Sequence, residues 1–125
     1  MADNLKLSVR ALYSKNTDYS SPKVDFNPSA YALTPDEYLH MELNCDTGGE
    51  SIDTARFTTV TLLIVKNNDT AINVVATFST DGGTLTDMSI PAGSFMVLPN
   101  FNPANDLNLK SASGTPECEV LIVGT

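Results

Sequence analysis

The tripeptide Asp46-Thr47-Gly48 is the first place where residue types and spacing suggest chemistry. A carboxylate on such a turn can meet a second copy of itself across a dimer, share one proton with it and activate water against a peptide bond. That device also needs a later hydrophobic-hydrophobic-Gly passage with more chain behind it. The match here, Ile122-Val123-Gly124, is followed only by Thr125, and Asn44 and Cys45 stand where an apolar pair would lead into the motif. The expectation is therefore a turn in which Asp and Gly-Gly connect two strands.

Asp46, Glu50 and Asp53 could also gather oxygens for calcium, because a hard cation takes carboxylates and carbonyls from loops with permissive glycine. They lack the alternate-residue spacing of a helix-flanked calcium loop, so a solvated acidic loop is expected and no metal. His40 is the single histidine, and any Ser-His-Asp or Cys-His device would rest on it alone. It falls on the polar side of a strand and reads as exposed or interfacial.

Cys45 and Cys118 each neighbour an acidic residue, with no Cys or His at metal-ligand spacing from either. Disulfides are not expected to organise the fold, and the redox compartment stays open. No Gly-x-Gly-x-x-Gly, phosphate loop, Cys-x-x-Cys or His-Glu-x-x-His occurs, so no cofactor is expected. Asn68-Asp69-Thr70 fits a glycosylation sequon but lies in a turn where Asn is wanted anyway. Tyr13, Tyr19, Tyr31 and Tyr38 gather toward the N-terminal third. They suit a sugar-binding platform or, equally, an extended arm packed on a neighbour.

The elements that must position these residues follow from length and pattern. At 125 residues one domain, spanning 1–125, can bury a core without metals or disulfides. Seven basic and fifteen acidic residues give a net charge of −8, and the basic ones are scattered singly. Such a surface repels phosphate backbones, so nucleic acid is not an expected partner. No apolar run approaches membrane-spanning length, and the start Met1-Ala2-Asp3-Asn4 lacks the pattern of a signal peptide. A soluble, uncleaved chain without a membrane partner is the expectation.

Period-two alternation recurs. Leu5, Leu7, Val9 and Ala11 alternate with more polar residues, as do Leu39, Met41 and Leu43 with Tyr38, His40, Glu42 and Asn44. Phe57 to Lys66 is nearly continuous in apolar character, which suits a strand covered on both sides or buried at a subunit contact. It ends at Asn67-Asn68-Asp69 and Ile72 to Ser79 resumes, which predicts a hairpin between the two. Asp81-Gly82-Gly83 is the next turn. Leu85 to Ile90, with Leu85 and either Met88 or Ile90 inward, Ser94 to Leu98, Leu107 to Ser111 and Cys118 to Val123 complete about eight strands with turn chemistry between them.

The domain is therefore expected to be all-β, an antiparallel β-sandwich. With no Trp, and with Cys45 and Cys118 too far apart for an immunoglobulin-like pair, a jelly roll is the favoured form.

Residues 14–37 read as an irregular arm or long loop. Val24, Phe26, Tyr31 and Leu33 are too apolar for a solvated linker, so the arm is expected to contact another subunit. The interface residues expected are Tyr19, Val24, Phe26 and Tyr31 in the arm, and Pro99, Phe101 and Pro103 in a second loop.

The passage Thr59-Val60-Thr61-Leu62-Leu63-Ile64-Val65-Lys66-Asn67, then Gly82-Gly83, Ile90-Pro91-Ala92-Gly93, Val97-Leu98-Pro99, Asp106-Leu107-Asn108-Leu109-Lys110 and Glu117-Cys118-Glu119-Val120-Leu121-Ile122-Val123-Gly124-Thr125 resembles small virion proteins of tailed bacteriophages. Jelly-roll head decoration, or cement, proteins are the nearest type. The resemblance covers about the last seventy residues and lies in the cadence of strands and turns. It implies a non-enzymatic capsid decoration protein on the virion exterior. Such a protein assembles with copies of itself, often as a homotrimer, and clamps neighbouring major capsid proteins. A head-fibre, neck or tail component is the alternative in the same setting. A carbohydrate-binding module and a dimeric aspartic protease are the alternatives outside it.

Overall fold

In the computed structural model the described residues are 5–8, 11–13, 24–26, 31–33, 35 and 37–125. Among the described residues twelve strands follow one another: β1 (Leu5–Leu7), β2 (Ala11–Tyr13), β3 (Val24–Phe26), β4 (Tyr31–Leu33), β5 (Glu37–Asn44), β6 (Glu50–Ile52), β7 (Val60–Asn67), β8 (Val74–Ser79), β9 (Leu85–Ile90), β10 (Phe95–Leu98), β11 (Leu107–Ser111) and β12 (Glu117–Gly124). Among the described residues there is no helix. The chain divides into two units, Met1–Thr34 and Pro35–Thr125.

The first unit holds two short antiparallel ladders. β1 pairs with β4 from Leu5 opposite Leu33 to Leu7 opposite Tyr31, and β2 pairs with β3 from Ala11 opposite Phe26 to Tyr13 opposite Val24. Two expectations are corrected here. The single strand expected from Leu5 onward is two strands, and the stretch expected to be irregular, 14–37, contains β3, β4 and the start of β5. The apolar residues that argued against a solvated linker, Val24, Phe26, Tyr31 and Leu33, lie in those strands. Their β-branched and aromatic character suits a pleated ladder as well as it suits an interface.

The second unit is an antiparallel sandwich of two four-stranded sheets. Strand order is β10-β7-β12-β5 in the first sheet and β6-β11-β8-β9 in the second. The pairs β5–β12, β6–β11, β7–β10 and β8–β9 are nested. Four strands thus run out and four run back as one long hairpin, whose successive pairs alternate between the sheets.

Alternation builds the core. In the first sheet, register aligns Leu98, Leu63, Ile122 and Leu39 in one inward row, and Met96, Val65, Val120 and Met41 in the next. The second sheet meets them with Ile52, Leu107, Leu109, Val74, Ala76, Phe78 and Ile90, all buried. Each large aliphatic or aromatic side chain hidden this way contributes about 1.5–3 kcal/mol. Leu62 and Val123, of the opposite parity, are buried as well.

The hairpin expected between Phe57–Lys66 and Ile72–Ser79 does not form, because β7 and β8 belong to opposite sheets. The buried Asn67 explains the crossing. Its amide donates to the carbonyls of Ile72 at 2.8 Å and Ile90 at 3.1 Å, and its side-chain oxygen accepts from the Asp69 N–H at 3.1 Å. A buried amide must satisfy its hydrogen bonds, and here it does so by strapping one sheet to the other. Asp81-Gly82-Gly83 does close a hairpin, β8–β9. Leu85, expected inward, is exposed, and of the two further inward candidates Met88 is exposed and Ile90 buried.

Candidate functional site

The residues singled out for catalysis are held by turns. Asp46 Oδ1 accepts from the N–H groups of Gly48 at 2.8 Å and Gly49 at 3.0 Å, so the Asp-Thr-Gly carboxylate is a turn brace on an exposed loop. Asp53 Oδ1 likewise accepts from the Ala55 N–H at 2.9 Å. Among the described residues no three His, Cys, Asp or Glu side chains form a metal-holding group.

Cys45, just past β5, and Cys118, on β12, are free, buried and hydrogen-bonded to each other. The Cys45 N–H donates to the Pro116 carbonyl at 3.2 Å, which extends the β5–β12 ladder and keeps the two thiols together. Burial pushes the Cys118 thiol up to about 12 and raises that of Cys45 as well. Both stay protonated at neutral pH, and a protonated thiol is neither a nucleophile nor a metal ligand.

The expected interface residues separate into three groups. Tyr19 lies outside the described residues. Val24 and Phe26 fall in β3 and Tyr31 in β4. In the second loop Pro99 is exposed and Pro103 half-buried, but Phe101 is only 3% exposed and belongs to the core, which corrects its assignment as a surface anchor. The physical reason is that the loop is tied down. The Asn102 N–H donates to the Ser79 carbonyl at 2.6 Å, and the Thr54 hydroxyl donates to the Pro103 carbonyl at 2.8 Å. The flanking prolines thereby carry Phe101 into the end of the sandwich.

The feature with the character of a site lies on the outer side of the first sheet. Register sets Phe95, Lys66, Glu119 and Glu42 in one outward row, and Val97, Ile64, Leu121 and His40 in the next. Tyr38 extends it, opposite Val123. Tyr38 is 61% exposed, Phe95 63% and Val97 39%, values unusual for side chains of this size. Between them runs a shallow groove of about 390 Å³, lined by Tyr38, His40, Ile64, Lys66, Phe95, Glu119 and Leu121. His40 Nε2 lies 3.4 Å from Glu119 Oε1 at its margin, so the histidine is set beside a carboxylate on an open face.

Of this constellation, sequence reasoning singled out His40, Tyr38 among the clustered tyrosines and the two-sided apolar character of Phe57–Lys66, but not Phe95, Val97 or Leu121. A signal was present. Residues 62–65 and 120–123 are apolar at both parities, although one sheet face in a two-layer sandwich suffices for the core. Chemically the face offers apolar area with a charged rim, which is the composition of a protein-docking surface. No family model, no curated protein and no solved structure matches this chain.

Proposed function

We propose that this chain is a structural, non-enzymatic component of a tailed-phage virion, a capsid decoration protein on the shell exterior that binds the major capsid protein and copies of itself. The observation that carries the reading is the exposed apolar face of the first sheet, where Phe95, Val97 and Tyr38 stand in solvent beside Ile64 and Leu121. Burying such a face on a neighbour returns the free energy that its exposure costs. Several weak contacts made together on a lattice raise the effective affinity beyond that of any one. The nested pairing of β5 with β12, β6 with β11, β7 with β10 and β8 with β9 supports the jelly-roll reading, and with it the resemblance to decoration proteins.

The test is quantitative mass spectrometry of the phage particle that carries the chain, together with rebinding of purified protein to shells stripped of it. A copy number that scales with the major capsid protein, and rebinding weakened at least tenfold by Phe95→Ser, are expected. A copy number confined to a tail or neck ring, or rebinding indifferent to Phe95, overturns the assignment.

A further inference from the structure

We propose that the outer face of the first sheet is a two-fold contact between two copies of this chain, with Lys66 of each copy set against Glu119 of the other and Ile64 against Leu121. It rests on the reading of that face as a docking surface, and it names the occupant.

β7 and β12 are the two central strands of the sheet, and across them Lys66 lies opposite Glu119 and Ile64 opposite Leu121. Consider a two-fold axis in the plane of contact, parallel to the strands and midway between β7 and β12. Rotation about it lays β7 of one copy over β12 of the other and keeps every row in line. Each Lys66 then meets a Glu119, twice over, and each Ile64 meets a Leu121. In the flanking strands Val97 of β10 comes over His40 of β5, and Phe95 over Glu42. Along the two central strands the face is its own complement, charge against opposite charge and apolar against apolar, as an isologous interface requires.

Size sets the strength. Four strands spaced by about 4.8 Å, with about six residues each at 3.3 Å, cover at most roughly 400 Å² per copy, or about 800 Å² for the pair, since Leu62 and Val123 on that side are already buried within the chain. That is below the standard interface, so the dimer is a weak one in solution, reinforced where copies are held side by side. Aligned sheets packed face to face cross at about 30°, which the short β10 edge accommodates.

Sedimentation velocity of the full chain, run from micromolar to millimolar concentration, tests this with two charge reversals. The wild type is expected to move from monomer to dimer. Lys66→Glu places two acidic groups against each other at both symmetry-related points, and Glu119→Lys places two basic ones there. Each is expected to weaken self-association at least tenfold, since like charges juxtaposed at a contact are repulsive. A mixture of the two variants should dimerise again, because one then presents acid wherever the other presents base. A rearrangement confined to a single chain cannot produce that recovery.

Lys66 is exposed and Glu119 only partly covered, so both variants are expected to fold, with melting temperatures near the wild type as the check. Phe95→Ser, at a residue 63% exposed, is the uncharged second variant and should weaken the dimer less than the charge reversals, since Phe95 lies in a flanking strand. A wild type that stays monomeric at millimolar concentration, a trimer, or folded variants whose mixture fails to associate overturns the proposal. Shell rebinding separates this from the assignment above. A monomer that still rebinds shells through Phe95 sinks the two-fold contact alone, whereas a dimer indifferent to shells sinks the decoration role alone.

Discussion

Across the first sheet one outward row reads Val97, Ile64, Leu121, His40, and across the second the central outward row reads Ser51, Asn108, Thr77, Asp87. The second row is a polar ladder. The Thr77 hydroxyl donates to Asp87 Oδ1 at 2.6 Å, and the Asn108 amide donates to Ser51 Oγ at 3.4 Å. Both sheets are four-stranded and antiparallel, and both are apolar inside. The inner rows hold the sandwich together whatever the outer rows contain, so the outer rows are free to record what each face meets. The central row of the second face is polar, with Leu85 exposed at the β9 edge, and that of the first is apolar.

The largest way to break this contrast acts on both rows of the first sheet at once. Gly124 ends β12 at an irregularity in its pairing with β7, where the Thr125 N–H donates to the Thr59 carbonyl at 2.9 Å. A Cβ at Gly124 would collide with that same carbonyl oxygen. Backbone cannot swing aside as a side chain can, so Gly124→Ala is expected to cost about 3 kcal/mol or more by prising the central strands apart. Urea unfolding measures it. A loss under about 1 kcal/mol would mean that the β7–β12 pairing tolerates a shift, and that the rows are less rigid than their register implies.

Two adjacent residues on β12 separate the inner role from the outer. Ile122 is fully buried in the core, whereas Leu121 points outward and is partly covered. Ile122→Ala is expected to destabilise the chain by about 3 kcal/mol through lost burial and the cavity left behind. Leu121→Ala should cost less than that in the monomer, since Leu121 is only partly covered where Ile122 is fully buried. Its effect should appear instead in self-association. Equal stability losses at the two positions would show that the outer face is packed as part of the core.

The polar ladder gives a smaller effect of opposite kind. Thr77→Val keeps the shape and the β-branch but removes the 2.6 Å hydrogen bond to Asp87, and is expected to cost about 0.5–1 kcal/mol. It should leave self-association unchanged in sedimentation. A gain in association would show that one more apolar group suffices to make the second face sticky too.

The inner rows were readable because their signal is local. Leu107, Leu109 and Ser111, or Leu39, Met41 and Leu43, repeat every second residue, and burial follows that period. What escaped depends on partners distant in the chain. Asn67-Asn68-Asp69 looks the same whether it closes a hairpin or crosses between sheets, and the choice falls to the buried Asn67 amide meeting Ile72 and Ile90. Phe101 between prolines looks like an exposed tip until the Asn102 bond to Ser79 folds it inward. Leu85 and Ile90 lie on opposite faces of β9, since they are an odd number of positions apart, and nothing nearby in sequence says which one meets the core. The outward apolar row was half legible, in the two-sided character of 62–65 and 120–123, but Phe95 and Val97 join it only through pairing with β7.

The smallest expected effect concerns the turn that closes the second sheet. Asp81 Oδ1 accepts from the N–H groups of Gly83 at 2.9 Å and Thr84 at 2.8 Å and from the Ser79 hydroxyl at 3.0 Å, and these donors hold its carboxyl down to about 2 from the ordinary 3.8. The folded-state value is depressed, so the charged form stabilises the hairpin above 3.8, and that contribution is lost as pH falls through about 2. Asp81→Asn removes the titration while keeping the shape. The variant should be slightly less stable than the wild type at neutral pH, and the two should converge as the medium is acidified through that window. The turn is fully exposed, so solvent screens the effect. Because the turn braces only β8 and β9, shell rebinding and self-association through the first sheet should follow the same course in both proteins. If the variant's association instead changed with acid differently from the wild type's, the two faces would not be independent, and the division of labour between them would have to be redrawn.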